Sequence, residues 1–537
     1  MRLSSLVSGA LFSLSLLAGD RLLAGAQAGA LPGATPPMGW GFALRMSDLS
    51  AGLLDVELRL PAATGGEPLS LCLFMDGAGA FVRELSALDA PTGSRLQADP
   101  DDADCWQVLP SAPGAGPRFP SRLKYRLDLK GMAARRGEPD YAEAIDGTYV
   151  WNEQAVLLHP SPLPKGAKIA IELTLPPGTP LATPWREVGG PTDATRRFDS
   201  DSDQHDHGSY IVWGPRLREL GMVSLPTGTT SSPAPASPTA LQPSPPALPP
   251  AQARLYLIDL PHRASDAALR IWMTSALSAV SSFYRELMPS PVTVTLIPLG
   301  NSRTAGLYGS VLRPLRPSAQ IFFGGAAESF SLGDDWLATH ELFHVGNPFL
   351  TGRLPWLVEG FTTYYEEVLR ARAGALSTAA AWGELMSGFS RHCQPEDGHS
   401  LADDSARMRQ SHNYQRVYWG GACLAFMVDV AIRSRSSGHG GKPGGVANLD
   451  DLMRELRRRS LRQPLDEAEI LAALDAAAGD RLASRLLRQT GRIAVREQLL
   501  RLGVRPSNEA QIDRDASRYP VTFDDRAPLA AIRRALF

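Results

Sequence analysis

The stretch THELFHVGN, residues 339–347, places two histidines four apart, with a glutamate beside the first. On a helix, His340 and His344 lie one turn apart on one face, so both imidazoles can reach a single ion. Glu341 falls on the flank, where it can act on a water at the metal rather than bind the metal. The competing reading is an ordinary helix that carries two histidines, and a third ligand decides between them. Zinc hydrolases hold their ion with three protein groups and leave a fourth position open. Downstream, PWLVEGFTTYYEEVLRARAG (355–374) opens on Pro355, suited to a first turn, and reads as a second helix. Fourteen residues separate His344 from Glu359, room enough for that helix to fold back, so Glu359 is the expected third ligand. Glu366 and Glu367 are rivals. Glu367 is expected on the solvated face, and Glu366, two turns after Glu359, is expected as an outer partner of a histidine.

The chain around this stretch has 537 residues, with 54 Lys and Arg against 56 Asp and Glu. That length implies more than one domain. The balanced charge gives no field for nucleic acid or anionic lipid, so neither is an expected partner. The N-terminus carries Arg2, an apolar run from Leu6 to Ala18, and Ala26-Gln27-Ala28. This reads as a secretory signal over 1–28, cleaved after Ala28, and implies a secreted or periplasmic protein. Beyond it no segment reads as a membrane span, and the oligomeric state is open. Of the four cysteines, sequence order favours Cys72 with Cys105 and Cys393 with Cys423, with buried thiols as the alternative.

Residues 29–225 hold short alternating runs such as LLDVELRLP (53–61) and LKYRLDL (123–129), the pattern of an all-β domain. Residues 226–252 are a linker or long loop, with nine prolines and no charge in the first 25 positions. The texture then changes to strands (ARLYLIDL, VTVTLIPL, AQIFFGG) interleaved with a helix (265–288), giving an α+β catalytic region over 253–385 and a helical region over 386–537. DSDSDQHDH (199–207) reads as a solvated polar loop. His392, His399 and His412 lie near Cys393 without metal-ligand spacing.

HELFH followed by WLVEG and FTTYYEE resembles the gluzincin metallopeptidases, and the wording is nearest the glycyl aminopeptidase family, whose pattern is HEFFH then EGFTSYY. VYWGGACLAFMVDVAIRSRS (417–436) and ANLDDLMREL (447–456) are similar to that family's tyrosine-x-x-glycine helix and LDDVMR segment. LDVELRLP and FVRELSALDAPTGSRL resemble its β-rich N-terminal domain. The resemblance implies a thermolysin-like zincin domain and a Zn2+ held by His340, His344 and Glu359. It also implies that Tyr418 donates to the oxyanion of the tetrahedral intermediate, with Tyr414 as a weaker candidate. Gly325-Ala326-Ala327-Glu328-Ser329 is similar to the family's exopeptidase signature. By that likeness Glu328 binds the α-ammonium of a peptide with a free N-terminus, while Gly325 and Ala326 pair with its backbone.

Three features depart from the family. Glu328 stands twelve positions before His340, closer than usual. VGNPFLTGRLP replaces the Trp-Asn-x-Lys-Arg that usually follows the zinc helix. After residue 456 the chain reads as helices and a short tail rather than a PDZ domain. The expectation is a zinc aminopeptidase with Glu341 as general base. An endopeptidase, or a non-catalytic binding protein on a relic fold, are the alternatives.

Overall fold

The structure, a computed structural model, describes residues 40–60, 69–88, 95–109, 121–135, 141–161, 164–189, 195–225, 251–394, 398–437, 446–507 and 520–537. The expected signal segment, its cleavage point and residues 226–250 of the proline-rich stretch lie outside them.

Alternation builds the N-terminal sheets. In Leu53–Arg59 the side chains of Leu54, Val56 and Leu58 are buried, while Leu53, Asp55 and Arg59 are exposed, the period of two that a half-buried strand requires. This strand belongs to a seven-stranded sheet. Its order is Arg186–Glu187, Thr195–Asp201, Lys168–Thr174, Trp40–Arg45, Leu53–Arg59, Arg122–Asp128, Val82–Ala87. The sheet shares a core with two four-stranded sheets, centred on Phe42, Tyr125, Trp151 and Trp213. Its outer face carries cross-strand ion pairs, Arg126 to Asp55 at 2.7 Å and Arg122 to Glu57 at 2.9 Å. Being solvated, each contributes at most about 1 kcal/mol. Cys72 and Cys105, opposite one another on adjacent strands, are joined as a disulfide.

The polar run 199–207 is not a solvated loop. It completes the strand Thr195–Asp201 and forms the helix Ser202–His207, whose first turn is capped where Asp201 accepts from the Gln204 amide (3.1 Å). His205 is fully buried because its ring stacks on Phe42 (5.9 Å) and meets the His159 ring at 5.0 Å. Glu153, also buried, lies 3.9 Å from His205 Nε2 and accepts from the Trp185 indole. Burial pushes the Glu153 carboxyl up to about 8 and His159 down to about 3, and holds His205 well below the usual range.

The second region is a five-stranded sheet covered by helices. Its order is Leu217–Ser224, Gln252–Ile258, Val292–Leu299, Ser318–Gly324, Gly306–Leu312. The middle strands are parallel and almost wholly buried, as strands covered on both faces must be. The last strand is antiparallel and forms an edge. Nothing in the sequence reading anticipated it. Against the sheet pack the helix Asp266–Tyr284, capped by Ser265, and the short helix Leu337–His344. The helices Pro355–Arg372, Thr378–His392, Tyr414–Ser437 and Leu449–Ser460 complete the same core. A two-stranded ladder, Val504–Pro506 with Val521–Phe523, interrupts the expected all-helical tail.

Contrary to the sequence reading, the segment Tyr414–Ser436 is long and apolar enough to cross a membrane, but 72% of its apolar window is buried inside the protein. Its apolar character serves the core. It lies so close to Pro355–Arg372 that a Cβ on either Gly360 or Gly421 would overlap the opposing backbone. Asp429 on this helix accepts from the Tyr364 hydroxyl and from the Leu449 amide, both at 2.9 Å, tying three helices together. A disulfide between Cys393 and Cys423, with Cα atoms 5.9 Å apart, fastens the end of the helix Thr378–His392 to it.

Candidate active site

The HExxH helix is short, and its start is set from outside. Asp335, buried, accepts from the Ala338 amide (3.1 Å), the Trp272 indole (2.9 Å) and the Gly306 amide (3.1 Å). One carboxylate therefore fixes the helix N-terminus against both the long helix and the edge strand. Every residue from Leu337 to His344 is buried. Helix and edge strand run in the same direction: Gly306 faces Asp335 and Leu337, and Gly309 faces the Glu341 side chain, which occupies the space a Cβ would fill.

Helical spacing brings the two histidines together at 4.8 Å between ring centroids, nearly perpendicular. The next helix folds back as expected and delivers Glu359 between them. Glu359 Oε2 lies 3.3 Å from His340 Nε2 and 3.4 Å from His344 Nε2. Ligands at zinc distances of about 2.0–2.1 Å in a tetrahedron sit roughly 3.3–3.4 Å apart, so these atoms already have the spacing of a shared ion. They form the one cluster of three such groups found among the described residues. Glu359 Oε1 is buried and makes no hydrogen bond among them, which also suits a donor set meant for a cation.

The electrostatics follow from the dry surroundings. Burial opposes charge on His340, but Glu359 and Glu366 outweigh it and push His340 up to about 10. His344 has no second carboxylate, so burial wins and lowers it to about 4. Burial likewise opposes ionised Glu359, yet the two histidines hold it down at about 2. Without metal the cluster gathers a proton at His340; a dication offers the same carboxylates a stronger partner.

Around this cluster, Glu366 Oε2 is 2.6 Å from His340 Nδ1, the outer contact the sequence suggested. Glu367 departs from expectation. It is buried rather than solvated, because its helix is covered on all sides, and it pairs with buried Arg370 at 3.0 Å. Asn347 and Thr362, not foreseen, stand 3.3 and 3.4 Å from His344 Nδ1. The Tyr284 hydroxyl donates to Asn347 Oδ1 at 2.9 Å. Tyr418 is brought to the site, its ring parallel to His340 at 6.0 Å between centroids. Tyr414 sits at the start of that helix, beside His412.

Gly325, Ala326 and Glu328 are not brought there. Glu328 is 61% exposed, pairs with Arg263 at 2.8 Å, and has its carboxyl lowered by Arg263 alongside Arg303, with no group of the HExxH cluster in reach. Gly325 and Ala326 spend their amides on Leu299 and Ser302 carbonyls. The reason is topological. Ser318–Gly324 lies inside the sheet with both edges bonded; of the two edge strands, Leu217–Ser224 and Gly306–Leu312, it is Gly306–Leu312 that runs beside the HExxH helix and can offer its backbone to a peptide there.

Residues 347–419 match the M61 glycyl aminopeptidase family. No curated protein matches the chain in sequence. In fold it is similar to an aminopeptidase N family protein from Idiomarina loihiensis, with TM-score 0.65 and 16% identity over 88% of this chain and 80% of that one. It is also similar to an M1 zinc metallopeptidase from Deinococcus radiodurans, solved as a mutant with a Tyr-Ser-Ala substrate, with TM-score 0.53 and 12% identity over 85% and 95%. At these identities the structural likeness speaks to the fold.

Proposed function

Taking the chain as a metallopeptidase related to the glycyl aminopeptidases, we propose that it cleaves peptides at one zinc ion held by His340, His344 and Glu359. The observation that carries this reading is the 3.3 and 3.4 Å spacing of their three donor atoms. When bound, zinc supplies a Lewis acid that polarises the peptide carbonyl and lowers the pKa of water. The edge strand Gly306–Leu312 offers its open side to an extended peptide. Glu341, over Gly309 on that strand, takes the proton from the attacking water and hands it to the leaving amine. Tyr418 donates its hydroxyl to the oxygen on which charge develops, an interaction gained only in the transition state. Glu366 holds the His340 ring through Nδ1, leaving Nε2 for the metal.

Aminopeptidase action is supported by the family relation, not by Glu328. Endopeptidase action is the second reading, favoured by the position of Glu328 away from the cluster. A screen of free and N-acetylated dipeptide amides separates them, since only an endopeptidase cleaves the blocked series. Export follows as a proposal from residues 1–28. Glu341→Gln tests the mechanism. The variant retains zinc while turnover falls by roughly 10²–10⁴-fold, the usual share of a general base; undiminished turnover overturns the role of Glu341. A folded protein that takes up no zinc overturns the whole reading.

A further inference from the structure

Just past the edge strand stands an arginine whose side chain makes no ion pair among the described residues. Counting in twos from Gly309, which faces Glu341, the same face continues through Val311 to Arg313, just past the strand end. Because helix and strand run together, Arg313 comes within electrostatic reach of His344, toward the end of the helix away from Asp335. Its charge acts on Glu359 and Tyr284, and on His344 and Arg457. Yet Nη1 is buried and makes no hydrogen bond among the described residues. A second guanidinium lies close by. Arg457 is 2% exposed, donates to the Asn347 carbonyl (3.0 Å) and rests over the Phe349 ring at 4.5 Å, while its Nε is buried with no hydrogen-bond partner.

Arg457, buried, and Arg313, part-buried with its Nη1 out of solvent, need compensation, since a desolvated charge without a partner is costly. The carboxylates whose fields reach them are Glu359, which the proposed zinc would engage, and Asp203 toward Arg457. With a dication bound, Glu359, the one carboxylate whose field reaches Arg313, is engaged by the metal and leaves that guanidinium without a counter-carboxylate of its own.

We infer that Arg313, supported by Arg457, binds a carboxylate of the substrate, making this a peptidase for short acidic or free-carboxylate peptides. The inference rests on peptide hydrolysis at this site. The guanidinium fork accepts a carboxylate in two parallel hydrogen bonds. The carboxylate has two sources, an acidic side chain next to the scissile bond or the C-terminus of a di- or tripeptide.

Two matched pairs distinguish them: Glu-Ala-amide against Gln-Ala-amide for the side chain, and Ala-Ala against Ala-Ala-amide for the terminus. For one pair, zinc-loaded wild-type protein is expected to favour the carboxylate roughly ten- to hundred-fold in kcat/KM. Arg313→Met abolishes that preference, leaving the neutral member within about three-fold, and Arg313→Lys restores part of it. No preference in wild type, or a preference that survives Arg313→Met, overturns the inference. Calorimetric titration of the same peptides into Glu341→Gln protein reads binding without turnover. If wild type cleaves neither these peptides nor the N-acetylated series, the peptidase reading fails, and this titration still decides on Arg313: equal affinity for both members of each pair refutes its role.

Discussion

Removing the Glu366 carboxylate tests whether the site is organised around a metal. Its Oε2 lies 2.6 Å from His340 Nδ1, with both residues buried. A buried hydrogen bond to a charged group is worth about 1.5–3 kcal/mol, and about 1.4 kcal/mol is a factor of ten. Glu366→Ala is therefore expected to weaken zinc roughly ten- to hundred-fold, in the range seen for outer-shell partners. Glu366→Gln keeps an oxygen acceptor without the charge, so it costs about three- to ten-fold. The assay is competition for zinc against a chromogenic chelator at one fixed pH, with circular dichroism to confirm folding. Affinities for both variants within about two-fold of wild type would mean that Glu366 neither orients His340 nor raises its basicity. His340 would then owe neither its orientation nor its metal affinity to the buried carboxylate beside it.

Two further outcomes follow from features away from the ligands. Tyr418→Phe is expected to lower kcat about 10²–10³-fold with little change in KM, because the hydroxyl acts only in the transition state; a pure KM effect refutes it. In the N-terminal sheets, Glu153 has a folded-state carboxyl raised to about 8 from an ordinary 4.5. Its favourable share is complete below the unfolded value and drains away as pH rises through that window, by at most about 1.4 kcal/mol per pH unit. His159 and His205, both lowered, work the other way: their share is present above the ordinary histidine value and is lost as pH falls. Above the ordinary histidine value only Glu153 is left to act, so stability to urea, followed by tryptophan fluorescence, should fall from about pH 7 to 8 in wild type and stay flatter in Glu153→Gln, and parallel profiles would sink the assignment.

The histidine pair, Glu359 and the Glu366 contact were legible because each depends on helical spacing, which sequence carries directly. Glu328 was misplaced because a five-residue likeness says nothing about strand order, and strand order decides which backbone edge is open. The true edge strand was hidden by Gly306 and Gly309, which read as breakers. They are glycines because Asp335, Leu337 and Glu341 fill the space beside them. Glu367 was expected in solvent by analogy with an amphipathic helix, whereas Pro355–Arg372 is buried nearly all round and supplies a counter-charge three residues on. Arg313 and Asn347 gave no local signal, since their relation to His344 exists only after the strand and the helix end are brought together.

The glycine contact between the helices of Glu359 and Tyr418 bears on how such a site can change over generations. Gly360 directly follows the proposed ligand, and Gly421 lies three residues beyond the proposed oxyanion donor, with no side chain between the two backbones. Ligand and phenol are thus mounted on what is mechanically one piece. A lineage can revise the edge strand or the Arg313 corner one residue at a time, but any shift in the spacing of metal and phenol requires concerted changes on both helices. Diversification should therefore gather on the strand side of the cleft, with the paired helices inherited as a block.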